Sequence, residues 1–242
     1  GEASGFADDN TRKQWKKNLQ QAYEIDPESP LVLNVLAHYH LRFDELSKAE
    51  EYTDAMQASS RYSERHHGMK LYWQLAEIAE KRGNLRLAEQ HLQRAIQIHP
   101  DLAQPQTQLA SFLAQNGRSA EAEALLTRWL GRFDKDLTSR WMLIGLARGR
   151  GDRQRVGQLL EDGVAVRPDD ASLALELGLM YLEDRRLEPA ADLLTHASRG
   201  RLDAEQRLRC LLPLARCLEV LGRKREAARL HQKIQQLMER RR

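Results

Sequence analysis

The feature that most constrains the fold of this chain is a period of 34 residues. Gly83, Gly117 and Gly151 follow one another at this spacing. A chain with such a period is predicted to fold as successive copies of one small unit, each burying its apolar surface against its neighbours. The same frame places leucine at one position of six copies: Leu36, Leu75, Leu109, Leu143, Leu177 and Leu214.

Each copy is predicted to contain two helices of about 14 residues joined by a tight turn. Glycine at the turn supplies the left-handed backbone conformation that ends the first helix. In two copies Asp44 and Arg185 stand where the others have glycine. The prolines of "HPD" and "RPDD" end the second helix, because the residue before proline avoids the helical region.

Segment 69–102 carries the most complete version of this pattern. The period, the helix–turn–helix form and nine residues of the segment resemble the tetratricopeptide repeat (TPR) family. The resemblance implies an all-α fold, a right-handed α-solenoid of stacked antiparallel helix pairs, and says almost nothing about the ligand. The nine residues are Tyr72, Leu75, Ala76, Ala79, Gly83, Ala88, Leu92, Ala95 and Pro100.

We expect six copies and two less regular segments. Residues 1–9 are predicted to be disordered or tag-like, and residues 10–29 match only the second helix of a repeat, so the chain is expected to begin inside a longer array. Five extra residues near "RYSERHHG" and three near "SRGRLD" are expected to form loops. The copies are 30–68, 69–102, 103–136, 137–170, 171–207 and 208–242, the last with a basic C-terminal helix.

The sequence predicts a protein that is not an enzyme and holds no cofactor. It contains no Gly-rich phosphate loop, no zinc-protease motif and no nucleophile elbow. No metal site is predicted either: His38 and His40 are two residues apart and point to different sides of a helix, while His66 and His67 are placed in the first inserted loop.

The compartment is left open by the sequence. There is no run of about 18 apolar residues that could span a membrane, and the N-terminus lacks the apolar core of a signal peptide. Cys210 and Cys217 would lie about 10 Å apart along a helix, too far for a disulfide. They are expected to be buried thiols, which favours the cytoplasm, with the periplasm possible if a signal segment was removed.

In the TPR family the first helices line a concave groove, and the resemblance implies that this groove binds a protein or peptide. Trp73 and Trp141 are the sharpest candidates, because large aromatic side chains make good binding anchors. The alternative is that each ring packs inside the solenoid. Gly145 would leave open space beside Trp141. The predicted groove residues are Asn34, His38, Trp73, Glu77, Lys81, Gln108, Ser111, Trp141, Gly145, Arg148, Leu175 and Leu179.

Charged residues limit the choice of partner. Some TPR domains clamp the C-terminal carboxylate of chaperone tails with lysines, but the matching positions here hold none. Residues 223–242 contain eight Lys or Arg and two acids, so any contact with a membrane is expected through this helix. Nucleic acid is disfavoured because no aromatic residues interleave with these cations.

The leading hypothesis is a non-catalytic scaffold or adaptor that belongs to a larger multi-repeat protein in a bacterial assembly such as an envelope, polysaccharide or pilus system. One alternative is a structural solenoid that self-assembles, for instance as a homodimer through the exposed N-terminal half-repeat. Another is a fragment of a eukaryotic transcription-elongation protein, because "AYEIDPESPLVLNVLAHYH" resembles the start of a repeat in the TPR subunit of the Paf complex.

Overall fold

The computed structural model describes residues 9–239, and every regular element in that range is a helix. The fold is therefore all-α, as the sequence predicts. The helices are α1 (Asp9–Ile25), α2 (Pro30–Arg42), α3 (Leu46–Ala58), α4 (Glu64–Lys81), α5 (Leu85–Ile98), α6 (Ala103–Gln115), α7 (Ser119–Leu130), α8 (Leu137–Gly149), α9 (Arg153–Val166), α10 (Ala171–Glu183), α11 (Leu187–Arg199), α12 (Ala204–Val220) and α13 (Lys224–Glu239). Of residues 1–9, predicted to be disordered or tag-like, residues 1–8 lie outside the described range and Asp9 begins α1.

Left-handed backbone at the turns ends the first helix of each hairpin. Gly83, Gly117 and Gly151 have φ between +70° and +78°. Asp44 and Arg185 adopt the same conformation, with φ of 59° and 58°, which confirms that they occupy the turn position that glycine takes elsewhere. An L residue is strained there, because its Cβ approaches the following carbonyl oxygen.

The two insertions lengthen helices instead of forming loops, so this expectation was wrong. Helices α2, α6, α8 and α10 have 13 residues each, whereas α4 has 18 and α12 has 17. No proline interrupts "RYSERHHG", and Gly68 is enclosed within α4. At "SRGRLD", Asp203 starts α12 with a capping box, in which its side chain accepts from the Gln206 N–H at 2.8 Å.

The chain divides into two compact units, with the division inside α7. The first unit ends at Ala122. Within it, consecutive helices from α1 to α6 pack against each other, and α4 also packs on α2. Leu33, Met56 and Leu71 form one of its core clusters.

The second unit begins at Glu123. Helix α10 is its centre, because α9, α11 and α12 all pack against it. Cys210 and Cys217 are free, buried thiols in this core, and burial raises the pKa of Cys210 to about 11. Among residues 9–239 no helix has the length and apolarity needed to cross a membrane.

Candidate protein-binding site

Helix α4 presents the aromatic side chain of Trp73 to solvent. Its side chain is 39% exposed, although a tryptophan normally buries most of its large apolar surface. The ring lies 6.2 Å from the His38 ring on α2, at an interplanar angle of 38°. The next residue, Gln74, is only 3% exposed, so α4 directs Trp73 outward and Gln74 toward α2.

Two cavities meet at Trp73, and we call them together the Trp73 groove. They share Trp73 and Gln108, and they bring together six of the predicted groove residues. The first cavity has a volume of about 320 Å³ and is lined by Asn34, Val35, His38, Met69, Lys70, Trp73, Gln74, Gln104 and Gln108. The second has a volume of about 430 Å³ and is lined by Trp73, Ala76, Glu77, Glu80, Leu92, Gln108, Ser111, Phe112 and Gln115.

The amide side chains of the Trp73 groove are incompletely hydrogen-bonded. Gln74 Nε2 donates to the Asn34 carbonyl oxygen at 2.8 Å, and this bond identifies the other end of the amide as oxygen. Gln74 Oε1 is buried and has no hydrogen-bond partner among the described residues, and the same holds for Gln108 Oε1. Buried polar atoms are nearly always paired in folded proteins, so two unpaired acceptors in one groove are unusual.

Negative charge lines the second cavity. Glu77 and Glu80 make no ion pair within residues 9–239. Lys81, another predicted groove residue, lines neither cavity, because its Nζ donates to Asp44 Oδ1 at 2.8 Å. This hydrogen bond raises the pKa of Lys81, and the charges of Asp44, Glu77 and Glu80 raise it further.

The predicted groove residues of the second unit lie in a different environment. Trp141 is partly buried. A Cβ built on Gly145 meets nothing within 4 Å, so the space expected at this position is open. Arg148 and Leu179 line a cavity of about 440 Å³ together with Arg153, Val156, Leu160, Glu176, Met180, Glu183, Arg209 and the turn glycine at 151.

Charged side chains of this cavity pair with each other. Arg148 Nη2 lies 2.5 Å from Glu176 Oε2, and Arg209 Nη2 lies 2.9 Å from Glu176 Oε1. Arg153 Nη1 lies 2.6 Å from Glu183 Oε2. Because α8, α10 and α12 each contribute one member of the Arg148–Glu176–Arg209 set, the set connects three first helices of this unit.

Leu175 departs from the prediction that it lines a groove. It is 1% exposed and belongs to the core cluster that contains Cys210 and Leu214 of α12. Because α12 packs directly on α10, it covers the side of α10 that carries Leu175. This side chain is therefore unavailable to a ligand.

Sequence reasoning missed Arg140, a buried charge in α8. It is 4% exposed and lines a cavity of about 340 Å³. Its Nη2 donates to the Asp134 carbonyl oxygen at 2.8 Å and its Nη1 to that of Leu159 at 3.2 Å, whereas Nε has no partner. Burial lowers the pKa of Arg140. One feature of the sequence could have indicated that Arg140 is buried: it stands at the repeat position that Tyr72 occupies in the second copy.

Residues 9–239 contain no group of three or more His, Cys, Asp or Glu side chains arranged to hold a metal ion. His66 and His67 lie in the first turn of α4, and not in a loop. Their ring nitrogens are engaged with Ser63: His67 Nδ1 accepts from its backbone N–H at 3.0 Å, and His66 Nδ1 lies 2.9 Å from its Oγ.

Comparisons with known proteins agree with this architecture. Residues 79–146 match the family model described as tetratricopeptide repeat. A solved TPR repeat-containing protein from Cytophaga hutchinsonii shares the fold with a TM-score of 0.62 and 13% identity, over 94% of this chain and 91% of that one. PilF of Pseudomonas aeruginosa gives 0.52 and 16% identity over 87% and 92%.

A double mutant of MamA from strain RS-1 gives a TM-score of 0.50 and 21% identity, over 72% of this chain and 96% of that one. No curated protein matches the chain in sequence. Residues 79–146 thus match the tetratricopeptide repeat model, and the chain shares the fold of a solved TPR protein, the class that its 34-residue period predicts.

Proposed function

We propose that this protein is a non-catalytic adaptor that binds a peptide segment of another protein, with the Trp73 groove as its contact site. The observation that carries the proposal is the junction of two cavities at an exposed tryptophan. Aromatic anchors near the centre of an interface contribute much of the binding energy. A partner segment that covers Trp73 would also bury apolar surface that the fold leaves in water.

We further propose that the adaptor acts in a bacterial assembly, such as an envelope, polysaccharide or pilus system. Two solved proteins that share the fold come from Cytophaga hutchinsonii and Pseudomonas aeruginosa. Their sequence identities to this chain are low. These proteins therefore support a bacterial origin, and they do not indicate which partner the chain binds. The resemblance of the N-terminal segment to the Paf complex subunit stays a prediction.

The test is selection of peptides from a random displayed library on the immobilised protein, followed by fluorescence polarisation with the selected sequences. Trp73→Ala should weaken binding about thirtyfold, the effect of losing an aromatic anchor. Leu87→Ala is the matched control, because Leu87 has the same 39% exposure in the same hairpin but lines neither cavity. Equal affinity for wild type and Trp73→Ala would reject the groove as the binding site.

A second candidate is self-assembly through the first unit. Ile25 at the end of α1 is 85% exposed and Leu31 at the start of α2 is 63% exposed, and large apolar side chains this open favour contact with another surface. Light scattering over a concentration series, with Ile25→Ser and Leu31→Ser in the same chain, tests it. A dimer that survives dilution and is lost in the double variant supports assembly, whereas a wild-type monomer excludes it.

A further inference from the structure

The chemistry of the Trp73 groove also indicates which side chain it accepts. Gln74 Oε1 is a buried acceptor whose identity as oxygen is fixed by the bond from Nε2 to the Asn34 carbonyl. Gln108 supplies a second unpaired oxygen, and it lines both cavities. Both oxygens are buried below the surface of the groove, so they act on a ligand through the partial negative charge of the amide and not through a direct hydrogen bond.

The second cavity adds negative charge that the protein leaves available. Glu77 and Glu80 line it. The basic side chains that follow them in sequence are held elsewhere: Lys81 by Asp44 and Arg82 by Glu50. Lys70 lines only the first cavity. The part of the groove beyond Trp73 therefore favours a cation.

One side chain combines donors, positive charge and a flat shape. The arginine guanidinium carries five N–H donors and no acceptor, and it stacks on aromatic faces more readily than the lysine ammonium. Trp73 offers the aromatic face that binds cations best. Carboxylates and an exposed indole within one groove are thus the complement of a guanidinium.

We propose that the Trp73 groove binds an arginine side chain of an extended partner segment. The guanidinium stacks on Trp73 beside Glu77 and Glu80. This inference rests on the proposed function, because it names the chemistry of the peptide that the same groove accepts.

The probes are fluorescein-labelled short peptides that differ only in their central residue. The centre is arginine, citrulline, lysine, alanine or glutamate, flanked by an equimolar mixture of alanine, serine, leucine and tyrosine. Citrulline matches arginine in shape and lacks its charge, so this pair isolates the cation. We expect arginine to bind about tenfold more tightly than citrulline, as a stacked cation next to carboxylates would, with lysine between them.

Protein variants locate the effect. The Glu77→Gln, Glu80→Gln double variant should abolish the preference for arginine over citrulline. Its matched control is Glu24→Gln with Glu51→Gln, two exposed carboxylates of the same unit that line neither cavity. Circular dichroism melts verify that each variant is folded.

The outcomes separate the two proposals. Binding that depends on Trp73 and prefers arginine, with the preference lost in the Glu77/Glu80 double variant, supports the inference. Binding that depends on Trp73 but treats arginine and citrulline alike overturns it and leaves the proposed function standing. A preference that survives in the double variant also overturns it. If no peptide binds in a Trp73-dependent way, both proposals fail.

Discussion

The candidate grooves of the two units are built largely from the same repeat positions, yet their charged side chains differ in whether they form ion pairs within the protein. In the second unit the arginines of the cavity pair with glutamates of neighbouring helices, and Glu176 serves two of them. In the first unit Glu77 and Glu80 make no ion pair within the described residues. Polar groups that pair inside the protein stabilise the stack, whereas unpaired ones leave hydrogen-bonding potential for a partner. Position in the repeat alone therefore does not define a binding site.

Substitution of a tryptophan in each unit should give the largest difference in stability. Trp129 of the second unit is 5% exposed, stacks on Phe133 at 4.1 Å and donates to Asp136 Oδ2 at 2.7 Å. Trp129→Ala should lower the free energy of unfolding by about 3–5 kcal/mol, because it opens a cavity in a packed core. Trp73→Ala should lower it by about 1 kcal/mol or less. Urea denaturation followed by circular dichroism measures both, and equal losses would mean that Trp73 is a structural residue.

Substitution of a glutamate in each groove should give a smaller difference in stability. Glu176→Gln removes the shared charge between Arg148 and Arg209, so unfolding should become easier by about 1–2 kcal/mol. Glu77→Gln removes a charge without an ion pair and should change stability by less than about 0.5 kcal/mol. Urea denaturation gives the size of each effect, and amide hydrogen exchange should place the loss for Glu176→Gln in α8, α10 and α12. A larger loss for Glu77→Gln would contradict the comparison.

At Arg140 two substitutions remove the charge and the volume of a buried side chain separately, and loss of the charge alone should have a small effect. Its guanidinium bonds to two backbone carbonyls and makes no ion pair within the described residues, although the charges of Asp162 and Asp134 act on it. Replacing such a buried cation by an apolar side chain of similar length costs little, because the desolvation penalty disappears with the charge. The free energy of unfolding of Arg140→Met should thus lie within about 1 kcal/mol of the wild-type value. Arg140→Ala should lower it by about 3 kcal/mol, because alanine leaves a void. A loss for methionine as large as for alanine would show that the charge itself is required.

The regular part of the fold could be predicted because the repeat frame carries its own geometric requirements. A turn that ends a helix in the left-handed conformation has one position that favours glycine. The repeat frame correctly predicted that Asp44 and Arg185 occupy this position in their copies. The insertions could not be placed in this way. Whether extra residues form a loop or prolong a helix depends on caps such as Asp203 and on the helices that flank them.

The candidate site was predictable only in part, for a similar reason. Repeat position brought Asn34, His38 and Trp73 into one groove. It could not show that Leu175 is covered by α12, because burial depends on the neighbouring copy. Nor could it reveal the unpaired oxygen of Gln74, which requires the position of every donor around it.

The left-handed turn at Asp44 connects the backbone of one hairpin to the charge of the next. Glycine at position 44 would relieve the strain of this conformation, but it would also release Lys81 from its carboxylate. The freed ammonium could then approach Glu77 and Glu80, whose charges already act on it. A stabilising substitution at this turn would in this way place a protein cation where the proposed arginine of the partner binds.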